Sequence, residues 1–405
     1  VVAMLHSILN VGVQNSEPLQ KEPLQKAGSY TSPHTTTYCE RIKVGDKYIS
    51  EKELVDATNF LKDKMDEYVN SLTAYSLQLT AGLNFFEFSF CLAIYYFAKQ
   101  NCEYAVIETG CGGRYDASNA IEKPVYTIIT NIGADHLDIF GNLENIAKEK
   151  AGIIKPNVPI LTGEQNKRWL DIFRKEIKLL HCCIVTLLKE IDYSYLKDIK
   201  TGLDGTSFEY KGEKYRLQLV GEHQARNAAL AIECAKELLD TRYPIVQKGL
   251  ERAFYPARME VISKNPTIII DGAHNEDKLQ ATIEFLLTTH YSLLANKKYL
   301  ILAMAKNKDV KILSQFSKFF DRIYLTRFSN PFRKAMNYND WLTKFAKSDK
   351  NRLYYKHYAK DALAEILPKL KKNDLLVITG SIFLAGELRE EWYDEKYIIQ
   401  KRKST

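Results

Sequence analysis

The sequence predicts an α/β protein of two domains, built on doubly wound and mostly parallel sheets, and three observations predict it. A length of 405 residues exceeds what one ordinary core holds. From residue 50 onward, helical stripes alternate with short β-branched runs, the signature of a parallel sheet with crossover helices. Strings rich in glycine and carboxylate follow directly on three of those runs, where an open sheet places its ligands.

Each element can be justified in turn. Residues 1–9 read as an amphipathic helix, with Val1, Val2, Leu5, Ile8 and Leu9 on one stripe. The tandem EPLQK copies at 17–21 and 22–26 each carry a proline that would interrupt a helix, so they read as an inserted surface loop. Ser50 precedes a helix ending before Val69, and residues 85–100 form a second, mostly buried one. Its apolar run is interrupted by Glu87 and is shorter than the ~20 residues that span a bilayer, which excludes a transmembrane reading. Residues 104–108 are a strand running into Thr109, Gly110, Cys111, Gly112 and Gly113. Residues 125–130 are another, followed by the loop 131–138 and the helix 143–153.

Residues 165–220 hold helical and hairpin signals, with a turn at Asp204-Gly205, and 221–239 is an alanine-rich helix. Tyr255-Pro256-Ala257 reads as a linker. Four further apolar strands, 267–270, 299–303, 322–325 and 375–379, make a second α/β domain. The expected division is therefore 1–256, 257–395 and a basic tail, 396–405.

Composition narrows the function. The 45% hydrophobic and 26% charged fractions are those of a folded globular chain. Fifty-seven Lys and Arg against fifty Asp and Glu leave a net +7, which pooled in a cleft suits an anionic small molecule. No arginine-rich arm or zinc-finger spacing points to nucleic acid. Seven cysteines, an odd number with no CxxC pair and with Cys182 and Cys183 adjacent, make neither a disulfide framework nor a zinc site and suit a reducing cytosol.

The chemistry concentrates at strand ends. Glu108, Gly110, Gly112, Gly113, Arg114 and Asp116 follow the first strand. Glycines there let backbone N–H groups approach phosphate, and a carboxylate at a strand end is a hard ligand for Mg²⁺. A purely structural glycine turn competes with that reading. Asp135-His136 lies in the loop after the next strand, and a lone histidine is more often a satisfied polar residue than a ligand. Asp271-Gly272-Ala273-His274-Asn275 follows the first strand of the second domain.

The ordered blocks YTSPH (30–34), ERI (40–42), ETGCGGRYDASN (108–119), NIGADHLDIFGN (131–142), IAKEKAGIIKP (146–156), GEHQARNAALA (221–231), PARMEVI (256–262), DGAHN (271–275) and TGSIFLAGELR (379–389) resemble those of the folylpolyglutamate synthases and dihydrofolate synthases, members of the Mur ligase superfamily. The resemblance implies a P-loop-type ATPase domain followed by a smaller Rossmann-like C-terminal domain. It implies ATP-dependent addition of L-glutamate to folate or dihydropteroate through an acyl phosphate, by a cytoplasmic monomer that binds neither nucleic acid nor membrane. By the same resemblance, Ser32, Glu108 and His136 hold Mg²⁺, and Lys150 becomes carbamylated to hold a second ion. Asn227, Arg258 and Asp271 contact ATP, and His274 works with Asp271 beside the nucleotide and the incoming amino acid. Asn84, Phe85, Phe86, Glu87, Tyr115, Asp116 and Ala117 occupy the pterin-contacting positions, with Asn84 where the family usually has threonine.

One departure stands out: the family's Walker A loop has no counterpart, since GxxxxGK[ST] occurs nowhere in the 405 residues. Residues 1–9 resemble the helix that follows that loop, so the strand and the phosphate-binding segment are expected ahead of Val1. Two other readings stay open at this point. One is a non-catalytic folate- or nucleotide-binding relative; the other is a Mur-type ligase of cell-wall precursors.

Overall fold

Two interleaved sets of residues make two units, one from Val1–Ser194, Arg226–Ala253 and Ile399–Thr405, the other from Tyr195–Ala225 and Phe254–Ile398. The computed structural model describes residues 1–15, 26–73, 82–180, 188–239, 243–288, 295–306, 308, 312, 313, 318–331, 333–345 and 347–401. Most of the EPLQK repeat, the Cys182–Cys183 pair and the last residues of the basic tail lie outside these.

In the first unit, helix α1 (Val2–Asn15) extends beyond the residue 9 expected from its stripe. It buries Met4, Leu5, Ile8 and Leu9 and packs on α8 (Tyr243–Arg252). The approach is close enough to need Gly249, where a Cβ would stand 2.4 Å from Ile8 Cα. Strands β1 (Lys26–Tyr30), β2 (Ile42–Val44), β3 (Lys47–Tyr48) and β4 (Cys102–Ile107) form a sheet in the order β3-β2-β1-β4. Only the β1–β4 pair in it is parallel. Helices α2 (Glu51–Thr73) and α3 (Phe85–Lys99) accompany it, and Ile42, Ile49, Leu92, Ala93 and Phe97 fill the core. Helix α2 passes Val69, where the sequence pattern was expected to end it, because no glycine or proline interrupts Asn70, Ser71 and Leu72.

A separate, fully parallel sheet in the same unit holds β5 (Thr127–Ile129), β6 (Ile160–Thr162) and β7 (Leu188–Glu190). Helices α4 (Leu137–Phe140), α5 (Leu143–Ala151) and α6 (Lys167–Leu179) belong to it in sequence. Ile129, Ala151, Ile154, Ile160, Leu170 and Phe173 make its core.

The second unit is organised by a six-stranded sheet in the order β11-β12-β16-β13-β14-β15. Its strands are β11 (Glu260–Lys264), β12 (Thr267–Ile270), β13 (Lys298–Leu302), β14 (Arg322–Leu325), β15 (Leu353–Tyr355) and β16 (Leu375–Thr379). All pairs are parallel except β11–β12. Alternate residues feed opposite faces: Ile269, Leu300, Leu302 and Val377 enter one core, and Ile268, Ile270, Ile301 and Leu376 the other.

A three-stranded antiparallel sheet, β8 (Leu196–Gly202), β9 (Gly205–Tyr210) and β10 (Glu213–Leu217), precedes α7 (Glu222–Leu239). Its Leu203 and the following Val220 join the core that contains Ile269 and Val377. Residues 195–225 therefore group with the second unit, and the chain crosses between units repeatedly rather than once at the expected boundary after residue 256. Among the described residues no helix is long and apolar enough to cross a membrane.

Candidate active site

The register of β1 and β4 sets Tyr30 beside Ile107, so their carboxyl ends finish together. Glu108 N–H then donates to Tyr30 O at 2.9 Å, and Ser32 N–H donates to Glu108 Oε2 at 3.0 Å. Two of the expected Mg²⁺ ligands are thus in contact. The ERI block holds this loop in place. Buried Glu40 accepts from the N–H groups of Thr35 and Thr36, both at 2.8 Å through Oε2. Arg41 Nε donates to His34 Nδ1 at 3.0 Å, and its guanidinium lies 5.4 Å from the Tyr38 ring centroid and 5.5 Å from that of Phe85.

Asp116 organises the glycine string after β4. Its Oδ2 accepts from Gly110 N–H and Cys111 N–H, each at 3.0 Å, and its Oδ1 accepts from Ser118 N–H at 3.0 Å and Ser118 Oγ at 2.6 Å. Gly112 sits at φ +71, and a Cβ on Gly113 would stand 2.5 Å from Glu149 O and 3.1 Å from Lys150 Cα. Arg114 N–H donates to the same Glu149 carbonyl at 2.9 Å. The glycine string therefore lies directly on α5 beside Lys150. Burial pushes the Cys111 thiol pKa up, with Asp116, Asp135 and Asp138 adding to the rise and Lys150 opposing it.

The loop carrying Asp135 and His136 is fixed at its start by Glu164. That buried carboxylate accepts from Ile132 N–H at 2.7 Å, and from Gln165 and Asn166 N–H at 2.9 and 2.8 Å. His136 itself adopts φ +56 at the start of α4, half-buried in the loop after β5. Serine hydroxyl, carboxylate and imidazole are donor types that could complete a Mg²⁺ shell, since that ion keeps waters and takes one or two carboxylates together with substrate phosphates. Among the described residues no group of three or more His, Cys, Asp and Glu side chains could hold an ion unaided.

The segment at 84–87 does two jobs. Asn84 caps α3, its Oδ1 accepting from the N–H groups of Phe86 and Glu87 at 2.9 and 3.1 Å, and Glu87 Oε2 accepts from Asn84 N–H at 2.8 Å. This reciprocal capping box gives Asn84 a structural role at the start of the helix. It leaves Phe85 and Phe86, each 55% exposed, at the helix start, and Tyr115 beyond the glycine string is 87% exposed. Ala117, half-buried, opens the short helical turn Ala117–Ala120 that Asp116 caps.

In the second unit, Asp271 follows β12 and is 5% exposed. Its Oδ1 accepts from Met259 N–H at 3.3 Å and its Oδ2 from Thr282 Oγ1 at 2.6 Å. His274 Nδ1 donates to Gly272 O at 2.9 Å, which leaves Nε2 facing Lys278 Nζ at 3.2 Å. Arg258 is half-buried with its guanidinium 5.6 Å from the Tyr255 ring centroid. Asn227 lies on the part of α7 that belongs to the first unit, half-buried.

Sequence reasoning gave no role to Glu40, Arg41, Glu164, Lys278 or Thr282. For Lys278 a signal was present, the spacing of four from His274 at the start of α9 (Glu276–Thr288). For the carboxylates there was none, because their partners are backbone N–H groups supplied by the fold.

Comparison with known proteins adds independent evidence. The Mur ligase middle domain family matches residues 66–235, and the family of dihydrofolate synthetase C-terminal domains matches residues 257–391. A dihydrofolate synthase/folylpolyglutamate synthase of Bacillus subtilis is 30% identical over 375 residues, covering 90% of this chain and 83% of that protein. A folylpolyglutamate synthase of Lacticaseibacillus casei is 30% identical over 380 residues, covering 90% and 82%. Among solved structures, Mycobacterium tuberculosis folylpolyglutamate synthase complexed with ADP and AMPPCP superposes with a TM-score of 0.81 at 25% identity, over 96% of this chain and 88% of that one. An FPGS–AMPPCP–folate complex gives 0.72 at 26% identity, over 96% and 86%.

Proposed function

Because this chain belongs to the folylpolyglutamate synthase and dihydrofolate synthase family of Mur ligases, we propose that it is an ATP-dependent ligase joining L-glutamate to folate, to dihydropteroate, or to both. The observation that carries the reading is the meeting of Ser32 with Glu108 at the paired ends of β1 and β4, beside a glycine string seated on the Lys150 helix. The match of residues 257–391 to the dihydrofolate synthetase C-terminal domain favours folate chemistry over a cell-wall precursor.

A carboxylate is a poor acyl electrophile. Transfer of the γ-phosphoryl of ATP to the acceptor's carboxylate makes an acyl phosphate, and the glutamate amine displaces phosphate from it to leave an amide. Mg²⁺, when bound, neutralises charge on the phosphates. In this reading Ser32 Oγ, the Glu108 carboxylate and the His136 imidazole hold that ion, and Glu40 and Glu164 fix the loops presenting Ser32 and His136. The Lys150 amine, carbamylated, offers two oxygens to a second ion. Asn227 and Arg258 bind ATP, and the planar, permanently charged guanidinium of Arg258 suits phosphate oxygens.

Asp271 contacts ATP beside Asn227 and Arg258 and also holds Met259 next to Arg258, accepting from its N–H through Oδ1. His274 presents Nε2 together with the Lys278 ammonium, a pair able to orient an anionic group of the amino acid and hold its proton. Asn84, Phe85, Phe86, Glu87, Tyr115, Asp116 and Ala117 form the pterin side, where exposed rings are available for stacking. The reading assigns ATP binding mainly to 1–256 and the amino-acid side to 257–395, although the fold interleaves the two. Residues Glu395–Lys401 are not a free tail but a helix in which Ile398 is buried and Ile399 packs on the core of Ile42 and Leu92. The reading also assigns a monomer in the cytosol, in keeping with Cys39, Cys91, Cys102, Cys111 and Cys234 forming no disulfide.

The test is to incubate the full-length protein with ATP, Mg²⁺, glutamate and either acceptor, following ADP release and the mass of the folate product. Addition of a glutamyl residue to one or both acceptors is expected. ADP release without a mass change, or no reaction with either, would overturn the reading.

A further inference from the structure

We propose that the buried ion pair between Arg389 and Glu260 is the positioning device for Arg258, setting affinity for the phosphates of ATP without touching them. The proposal rests on the reading of Arg258 as an ATP contact.

Arg258 stands between two non-glycine residues with left-handed backbone, Ala257 at φ +51 and Met259 at φ +52. Such residues persist only where the surroundings over-determine them. Here the backbone on each side of Arg258 is tied to a carboxylate. Met259 N–H donates to Asp271 Oδ1 at 3.3 Å, and Ala257 N–H donates to Glu260 Oε2 at 2.9 Å. The Ala257 carbonyl also accepts from Gly272 N–H at 2.8 Å.

Each carboxylate is oriented in turn by one further residue. For Asp271 that residue is Thr282. For Glu260 it is Arg389, 129 residues later at the end of the helix Ile382–Arg389. Arg389 Nε donates to Glu260 Oε2 at 2.8 Å and Nη2 to Oε1 at 3.0 Å, a two-pronged contact between side chains only 6% and 7% exposed. The guanidinium is backed by the Tyr393 ring, its centroid 4.9 Å away.

Glu260 Oε2 is therefore shared between the Arg389 fork and the Ala257 N–H. A carboxylate held by both prongs cannot turn away from Ala257; one held by a single ammonium can. Buried ion pairs contribute little net stability compared with apolar residues of the same volume. What this pair supplies that apolar packing cannot is an oxygen aimed at Ala257.

The experiment compares Arg389→Lys, Arg258→Ala and the double variant in the full-length protein, reading KM for ATP, KM for folate, kcat and the urea unfolding midpoint. Arg389→Lys keeps the charge but loses the fork, and should raise KM for ATP about tenfold with kcat and KM for folate nearly unchanged. Arg258→Ala should raise it at least as much, and the double variant no further than Arg258→Ala alone, since Arg389 acts through Arg258. Should Arg389→Lys fold poorly, the apolar pair Glu260→Leu with Arg389→Met keeps the volume filled and should show the same rise.

Multiplicative effects of the two single changes, or a shift in unfolding midpoint with KM for ATP unmoved, would overturn the proposal while leaving Arg258 as an ATP contact. An unchanged KM for ATP in Arg258→Ala would overturn that contact and the proposal with it.

Discussion

Ser32 and Glu108 are 76 residues apart, yet the N–H of one donates to the carboxylate of the other at 3.0 Å. The cause is the parallel pairing of β1 with β4, in which Tyr30 and Ile107 end side by side and the chain leaves both strands at the same edge. A carboxylate that already accepts from a neighbouring backbone N–H has one oxygen oriented before any ion arrives.

Glu108→Ala and His136→Ala should each lower ligation by at least about 100-fold at low millimolar Mg²⁺, with folding preserved, because each removes a donor from an incomplete shell. Raising Mg²⁺ should recover part of the rate in both. A magnesium titration of initial rates decides it: near-wild-type turnover in both variants at low millimolar Mg²⁺ would remove these residues from the metal site.

Lys150→Arg should be inactive, because a guanidinium cannot form a carbamate and cannot present oxygens to an ion. Lys150→Ala should be inactive too, but partly restored by a short carboxylate such as acetate, which refills the vacated ligand position. Turnover assays with and without acetate measure both. Full activity in the arginine variant would return Lys150 to an ordinary helix surface residue.

Asp116→Ala should destabilise the first unit by about 2 kcal/mol, since hydrogen bonds to a charged acceptor are worth more than neutral ones and the loop is only partly buried. It should also weaken binding of the pterin-bearing acceptor, because Tyr115 loses its fixed neighbour. Urea unfolding and acceptor titration check the two effects separately. Asp116→Asn, which keeps one acceptor oxygen, should fall between.

Acid should act on the first unit through His6. The ring is 2% exposed with Nε2 3.1 Å from Ala27 O, and its pKa is held at about 3 against an ordinary 6.5, chiefly by burial and then by the Lys43 charge. Between those values the unfolded chain holds a proton that the folded one does not, so stability falls as pH falls, by at most about 1.4 kcal/mol per pH unit. His6→Gln retains a donor for Ala27 and should flatten that slope. Urea midpoints measured at about pH 7 and about pH 5 test it, and parallel losses in the two proteins would assign the effect elsewhere.

Much of this architecture was legible because it is written locally. The strands at 267–270, 322–325 and 375–379 are apolar runs bounded by polar turns, and they form where expected. The glycine string after β4 was recognisable from Gly110, Gly112 and Gly113, whose missing side chains are what let the chain rest on α5. Not legible was anything decided by distant partners. Leu203 and Val220 look like ordinary hairpin residues until they enter the core around Ile269, which moves 195–225 into the second unit. Glu40, Glu164 and Glu260 resemble surface glutamates in the sequence. Only the fold shows that each meets backbone N–H groups that would otherwise lack an acceptor.

The interleaving of the two units governs the order in which they can be completed during synthesis. When residue 194 has left the ribosome, α1 still lacks α8, its main packing partner, and the α7 residues from Arg226 onward have not been made. The segment that emerges next, Tyr195–Ala225, waits for strands that follow Phe254. Ile399, which packs on the core of Ile42, Ile49 and Leu92, is made after every residue of the second unit. Neither unit can finish before the other is largely translated. A stop ahead of Ile399 thus leaves the core of Ile42, Ile49 and Leu92 without one of the residues packed against it.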